Sequence, residues 1–218
     1  MKIYCFSGLG ADERVFRFLK LNSPYELVPV DWIKPLKDET LGEYSIRISQ
    51  RIQTKKTFGI LGVSFGGAIA QEVSRIVKPK FTLIISSINR TDQIPFLLKH
   101  TPNFILKCMP IALFTLPKPI ANYFFGAYNK KLLHQILNDT DPGFVKWALF
   151  TFKNWKPVGF NSSVFFISGD KDRLLKPIDN SMKIQGGGHF MIVDLAKEVS
   201  GQINFFLNNY NSNQFYNE

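Results

Sequence analysis

Apolar positions along this chain follow two alternating periods. The runs at residues 2–6, 26–32, 58–63, 81–88 and 163–169 are short and almost continuously apolar, the pattern of strands buried on both faces. Between them the spacing becomes helical. Val15, Phe16 and Leu19 mark a helix from Glu13 to Leu21 behind Asp12 as cap, and Leu41, Tyr44, Ile48 and Ile52 mark another ending near Gln53. Thr40 followed by Glu43 is a capping box for the second helix. A third helix runs from Gly66 to Val77 and is stopped by Pro79. Ser181 to Ile184 predicts a weak last strand, Asp194 opens a final amphipathic helix to about Asn208, and the asparagine-rich residues 209–218 predict a frayed end. Strands alternating with helices in this way imply a mostly parallel sheet of about six strands in an α/β fold.

From about Asn89 to Phe160 the alternation stops. This segment holds seven of the twelve prolines and many aromatic residues, and it predicts several short helices. The clearest are Lys130 to Leu137 and Pro142 to Phe152, the latter with Asp141 as cap and Pro142 in the first turn. So apolar an insertion between two strands of a parallel sheet must fold back on the body, and over the strand ends it forms a cap. The expected organisation is therefore a core of residues 1–88 and 161–218 with a helical cap of residues 89–160.

Composition narrows the class without naming it. At 218 residues the chain supports one domain with a substantial core. Cys5 and Cys108 form neither a disulfide framework nor a metal-ligand pattern, and the expectation is two buried thiols in a reducing compartment, the cytoplasm. No run is long and apolar enough to span a bilayer, and the start does not read as a signal peptide. The net charge of +10 is spread in ones and twos, as at Lys55-Lys56, Lys78 and Lys130-Lys131. That distribution reads as a basic solvated surface and not as a nucleic-acid footprint.

Candidate chemistry centres on Gly62-Val63-Ser64-Phe65-Gly66, an apolar strand running through Gly-x-Ser-x-Gly straight into a helix. The pentad alone is weak, but strand before and helix after make it a candidate nucleophile elbow. Ser64 would sit on a strained turn, and side chains at Gly62 or Gly66 would collide with neighbouring elements. An activated serine needs a base, an acid to orient that base, and donors for an oxyanion. Of the three histidines, His100 and His134 lie in the predicted cap, while His189 follows three glycines in a loop after the last strand. For the acid the residues leave a choice between Asp170 and Asp172, after the strand ending at Gly169, with Asp92 as an outside candidate and Asp31 as a turn residue. A binding protein that keeps such a scaffold without turnover is the alternative from another class.

Taken in order, Gly8-Leu9-Gly10, Gly62-Val63-Ser64-Phe65-Gly66-Gly67, Gly169-Asp170-Lys171-Asp172 and Gly188-His189-Phe190 resemble the α/β-hydrolase superfamily. The resemblance covers nearly the whole chain outside the cap. It implies a three-layer α/β/α sandwich, lacking the first two strands of the full fold, with a trimmed helix between the last two strands. It implies Ser64 as nucleophile, His189 as base and Asp172 as acid, with the backbone N–H groups of Leu9 and Phe65 as the oxyanion hole. Ser7-Gly8 stands where the superfamily often has His-Gly, so the supports of that loop are expected to differ. The implied activity is a cofactor-free serine hydrolase cleaving an ester or thioester, and the aromatic cap points to a small, fairly apolar acyl substrate; monomer and homodimer both stay open. Carbon–carbon bond hydrolysis or a lyase reaction on the same residues is the alternative chemistry.

Overall fold

The computed structural model describes residues 1–157, 159 and 163–214. The expected cap boundary at Phe160 and Asn161 and the last four residues lie outside this set.

Six parallel strands form one sheet: β1 (Lys2–Phe6), β2 (Glu26–Pro29), β3 (Phe58–Val63), β4 (Phe81–Ile85), β5 (Ser163–Gly169) and β6 (Met182–Ile184), in the order β2-β1-β3-β4-β5-β6. Their register pairs Cys5 with Leu61 and Leu61 with Leu83. Alternate side chains then enter opposite cores. Ile3, Cys5, Leu61 and Leu83 face one side, and Tyr4, Phe6, Ile60 and Ile84 face the other. On the second side pack α1 (Leu41–Ser49) and α2 (Phe65–Val77), through Tyr44, Ile48, Ile69 and Val73. The short helices α3 (Phe96–His100), α4 (Asn103–Cys108), α5 (Lys118–Phe125), α6 (Lys130–Asp139) and α7 (Pro142–Asn154) fall between β4 and β5. The first core is closed by α8 (Met191–Asp194) and α9 (Ala196–Gln214), through Ile192, Val199, Ile203 and Leu207. Every residue of β3 and β4 is buried, so truncating one such side chain, Leu61 to Ala for example, removes about 2–5 kcal/mol.

Local signals explain several boundaries. Thr40 Oγ1 accepts from Glu43 N–H at 3.2 Å and Glu43 Oε2 accepts from Thr40 N–H at 2.9 Å, the reciprocal capping box. The Asp141 cap also forms, accepting from Gly143 N–H at 2.8 Å. β2 stops at Pro29, which is tolerated because β2 is an edge strand.

Other boundaries differ from the sequence expectation. Glu13 to Leu21 is not a helix but a single 3-10 turn, Glu13–Phe16; Val15, Phe16 and Leu19 are buried all the same, because tertiary packing supplies what the short turn lacks. β4 ends at Ile85 and not at Ile88, because Ser86 adopts a left-handed φ of 46° that no strand continues. α1 ends at Ser49, where the hydroxyl donates back to Ile46 O. Between β5 and β6 there is no helix, only turns. Asp194 ends a short helix instead of opening the last one, and α9 carries residues 209–214 in helix where fraying was expected. Cys5 is buried as expected, but Cys108 is exposed.

Candidate active site

Ser64 occupies the single residue between β3 and α2, with φ 54° and ψ −122°, a conformation costly for any residue with a side chain. Neighbours hold it there. Its N–H donates to Ile85 O at 2.9 Å, and its carbonyl accepts from Gly67 N–H at 2.9 Å and from Ser87 Oγ at 2.7 Å. The two flanking glycines are required by close approach. A Cβ on Gly62 would stand 2.4 Å from Gly66 O, and one on Gly66 would stand 2.1 Å from Ser7 O. The first loop also lies against the elbow, with room to spare, since a Cβ on Gly8 would make an ordinary 3.5 Å contact with Ser64 Cβ.

His189 reaches across the strand ends from the loop after β6. Its Nε2 is 2.9 Å from Ser64 Oγ and its Nδ1 is 2.8 Å from Asp172 Oδ2. Both side chains are buried, at 4% exposure for His189 and 2% for Asp172. Asp172 Oδ1 accepts the backbone N–H groups of Leu174 and Leu175, each at 2.9 Å. A carboxylate saturated in this way only accepts, so Nδ1 carries the imidazole proton and Nε2 accepts from the Ser64 hydroxyl. The ring of Phe125 meets His189 edge-on at 5.4 Å and fixes its tilt.

The remaining candidates lie elsewhere. Asp170 Oδ1 accepts from Gly186 N–H at 2.7 Å, a brace for the β6 turn, which leaves Asp172 as the carboxylate that meets His189. Asp92 is exposed and paired with Arg90, whose guanidinium holds its carboxyl below the usual range. Asp31 is exposed. His100 Nδ1 is 2.9 Å from Phe96 O on its own helix, and His134 Nε2 is 2.8 Å from Asn122 Oδ1, linking α6 to α5.

The N–H groups of Leu9 and Phe65 donate to no protein acceptor among the described residues, and both residues line the cavity in front of Ser64. The loop carrying Leu9 has supports that the sequence did not reveal. Ser7 Oγ donates to Ala11 O at 2.7 Å, Trp32 Nε1 donates to the same oxygen at 3.0 Å, and Thr140 Oγ1 donates to Gly10 O at 2.9 Å. Ser7 thus braces the loop where a histidine was the commoner expectation. A further tie missed in the sequence is Asp194, whose two oxygens accept the N–H groups of Tyr128 and Asn129, each at 2.8 Å. Phe190 N–H donates to Phe125 O at 3.1 Å beside it. These contacts join residues more than sixty positions apart, which no local pattern signals.

In front of Ser64 lies a cavity of about 430 Å³, lined by residues of the sheet body and of the segment between β4 and β5. Its walls include Leu98, Leu106, Val145, Leu149 and Phe152, and among the described residues its only polar side chains are Ser64, His189, Thr115 and Thr140. Among the described residues no charged group faces it and no cluster of metal-ligating side chains occurs.

Solved structures of similar shape place the architecture. A lipase-esterase related protein from Clostridium acetobutylicum superposes with a TM-score of 0.71, covering 94% of this chain and 93% of its own at 18% identity. A thermophilic esterase from Thermogutta terrifontis gives 0.72 over 96% of this chain and 90% of its own at 12% identity. The chain has the α/β-hydrolase fold. A third neighbour with this fold, the N-acyl homoserine lactonase AidH, gives 0.70 over 96% and 89% at 12% identity. No protein-family profile matches the sequence, and no curated protein matches it by sequence. Within the α/β-hydrolase fold the present sheet is a short version, with β2 at one edge and β6 at the other and no antiparallel strand among the described residues.

Proposed function

We propose that this chain is a serine hydrolase that cleaves an uncharged, apolar ester or thioester through an acyl-serine intermediate. The observation that carries the reading is His189, held at 2.8 Å from Asp172 and 2.9 Å from Ser64. Ser64 Oγ attacks the carbonyl carbon while His189 Nε2 takes its proton, and Asp172 stabilises the imidazolium. The tetrahedral oxyanion sits against the N–H groups of Leu9 and Phe65, each such donor contributing about 3 kcal/mol. Collapse expels the alcohol or thiol, which leaves with the proton from His189. Water, deprotonated by the same nitrogen, then frees the acid and restores Ser64. The cavity supports an apolar acyl group, since a substrate charge inside it would find no partner. The neighbours support ester-type chemistry, because they include an esterase and a lactonase.

In this reading residues 1–88 and 161–218 carry the chemistry and residues 89–160 cap it. Two free thiols fit a cytoplasmic setting, and no described helix is long and apolar enough to cross a membrane.

A fluorophosphonate probe is expected to label the wild type and to leave Ser64→Ala unlabelled; equal labelling of the two overturns the proposal. Screening p-nitrophenyl esters against acyl thioesters and vinylogous diketones then fixes the bond cleaved. Turnover confined to the diketones replaces acyl transfer by carbon–carbon hydrolysis on the same residues.

A further inference from the structure

One edge of the molecule is built unlike the rest. Ten of the fifteen large apolar side chains exposed among the described residues fall within residues 93–138, among them Phe96, Leu97, Phe104, Ile105 and Ile111. Phe96, Leu97 and Phe104 are 72%, 80% and 67% exposed. The same forty-six positions contain five lysines and no aspartate or glutamate. The charges join the apolar groups in space. α3, α4 and the 3-10 turn Ile111–Phe114 all pack on α7. From α7, Lys146 Nζ reaches Lys107 O and Met109 O, and Lys153 Nζ reaches Thr101 O and Asn103 Oδ1. With Lys99 and Lys107 this places four ammonium groups along the edge. No lysine among the described residues is paired with a carboxylate, for every ion pair there uses arginine or histidine.

The cavity opens at this edge. Leu113 and Leu116 line it and are themselves exposed, whereas Leu98 and Leu106 of α3 and α4 point into it beneath the outward-facing Phe96, Leu97 and Phe104. Each short helix therefore has one apolar face in the cavity and another in solvent.

We propose that this edge docks on an anionic lipid surface and that the cavity takes its apolar acyl substrate directly from that surface. Exposed phenylalanine and leucine stand beside Lys99 and Lys107, whose ammonium groups have no oxygen partner among the described residues, and beside Lys146 and Lys153, whose positive charge only neutral oxygens meet. That combination suits the boundary between headgroups and acyl chains, where apolar groups are buried and positive charge faces phosphate. A second copy of the chain fits less well. A two-fold contact through this edge would set lysines against lysines, and Asp92, the carboxylate beside Lys99, is already taken by Arg90. The substrate half of the proposal rests on the hydrolase reading; the docking half does not.

The test is vesicle flotation of the full chain, wild type and Ser64→Ala, with phosphatidylcholine alone and with phosphatidylcholine mixed with phosphatidylglycerol. Both proteins are expected to float with the mixed vesicles at low salt, to stay behind with the neutral ones, and to be released at about 1 M salt, where the Debye length is ~3 Å. Lys99→Gln and Lys107→Gln are each expected to weaken partition about five-fold. The triple change Phe96→Ser, Leu97→Ser, Phe104→Ser is expected to weaken it more than ten-fold. Turnover of a water-soluble short ester by these variants is expected to match wild type, which also reports that they fold. Absence of flotation, equal flotation with neutral vesicles, or a lipid-free dimer dissolved by the triple change overturns the docking. Should an unfolded triple variant remove that comparison, the composition and salt dependence of the wild type still decides. Flotation with no turnover of esters or thioesters supports the docking and sinks the hydrolase reading; turnover without flotation does the reverse.

Discussion

The sheet core and the inserted helices solve opposite problems with the same types of residue. In the core, β3 and β4 bury every side chain, and the elbow leaves so little room that a methyl group at Gly66 would strike Ser7 O. In the insertion, α3 and α4 have five and six residues, and Leu106 is the only one of these eleven that is buried. The core packing holds Ser64 and Asp172 in hydrogen-bond contact with His189, at 2.9 and 2.8 Å from the imidazole. The insertion leaves apolar surface on both sides of thin helices, which gives it a wall for a cavity and a face for something outside. Tight packing thus accompanies the proposed chemistry, and loose packing accompanies the proposed selection of what reaches it.

The sharpest way to break this contrast is at Ser64 itself. Ser64→Ala and His189→Ala are each expected to lower kcat about a hundred-thousand-fold with KM little changed, read from steady-state hydrolysis of an activated ester. Asp172→Asn keeps an acceptor for Leu174 and Leu175 but disturbs the tautomer of His189, and about a ten-thousand-fold loss of kcat is expected. Gly66→Ala tests the packing and not the chemistry, with a cost above about 3 kcal/mol in denaturant melts, because backbone would have to move. On the insertion side, Val145→Phe partly fills the cavity and is expected to lower kcat/KM for long acyl chains about ten-fold or more while sparing acetyl esters. Equal loss on both would mean that the insertion controls the chemistry as well.

The smallest effect concerns Glu39, a buried carboxylate whose partner Arg47 holds it below the usual range. Its folded value is lowered, so the unfolded chain binds the proton more readily and this contribution is complete above the ordinary glutamate range. It is lost as pH falls through the folded value. Arg47→Gln is expected to lower the thermal midpoint by a few degrees at neutral pH and to flatten its fall on the acid side.

What could be read in the sequence was local. The capping box of Thr40 and Glu43, the Asp141 cap and the limits of β1 and β5 follow from residues within a turn or a strand of one another. Gly62 and Gly66 also announced the elbow, since few other contexts demand glycine on both sides of a serine between strand and helix. Illegible were features set by distant neighbours. Nothing near Ser86 predicts its left-handed turn, and nothing near Glu13 says that packing will bury Val15 and Phe16 without a full helix. The residues alone left Asp170 and Asp172 open; the resemblance pointed to Asp172, and that is the carboxylate lying against His189. The docking edge was hidden because its lysines, Lys99, Lys107, Lys146 and Lys153, are spaced seven to thirty-nine residues apart along the chain.

The grip of Asp194 on Tyr128 and Asn129 divides the insertion unequally. Its second half is bolted to the same short stretch that carries His189 and Phe190, so α5 and α6 cannot swing outward without dislodging the imidazole. Breathing that admits a bulky guest is therefore expected in the Phe96 to Phe114 half, which α7 holds through the ammonium groups of Lys146 and Lys153. In deuterium exchange, the amides of Tyr128 and Asn129 are expected to be retained about as long as that of Phe190, while those around Leu113 and Thr115 wash out first. The door and the doorframe of this cavity would then be two stretches of one continuous insertion.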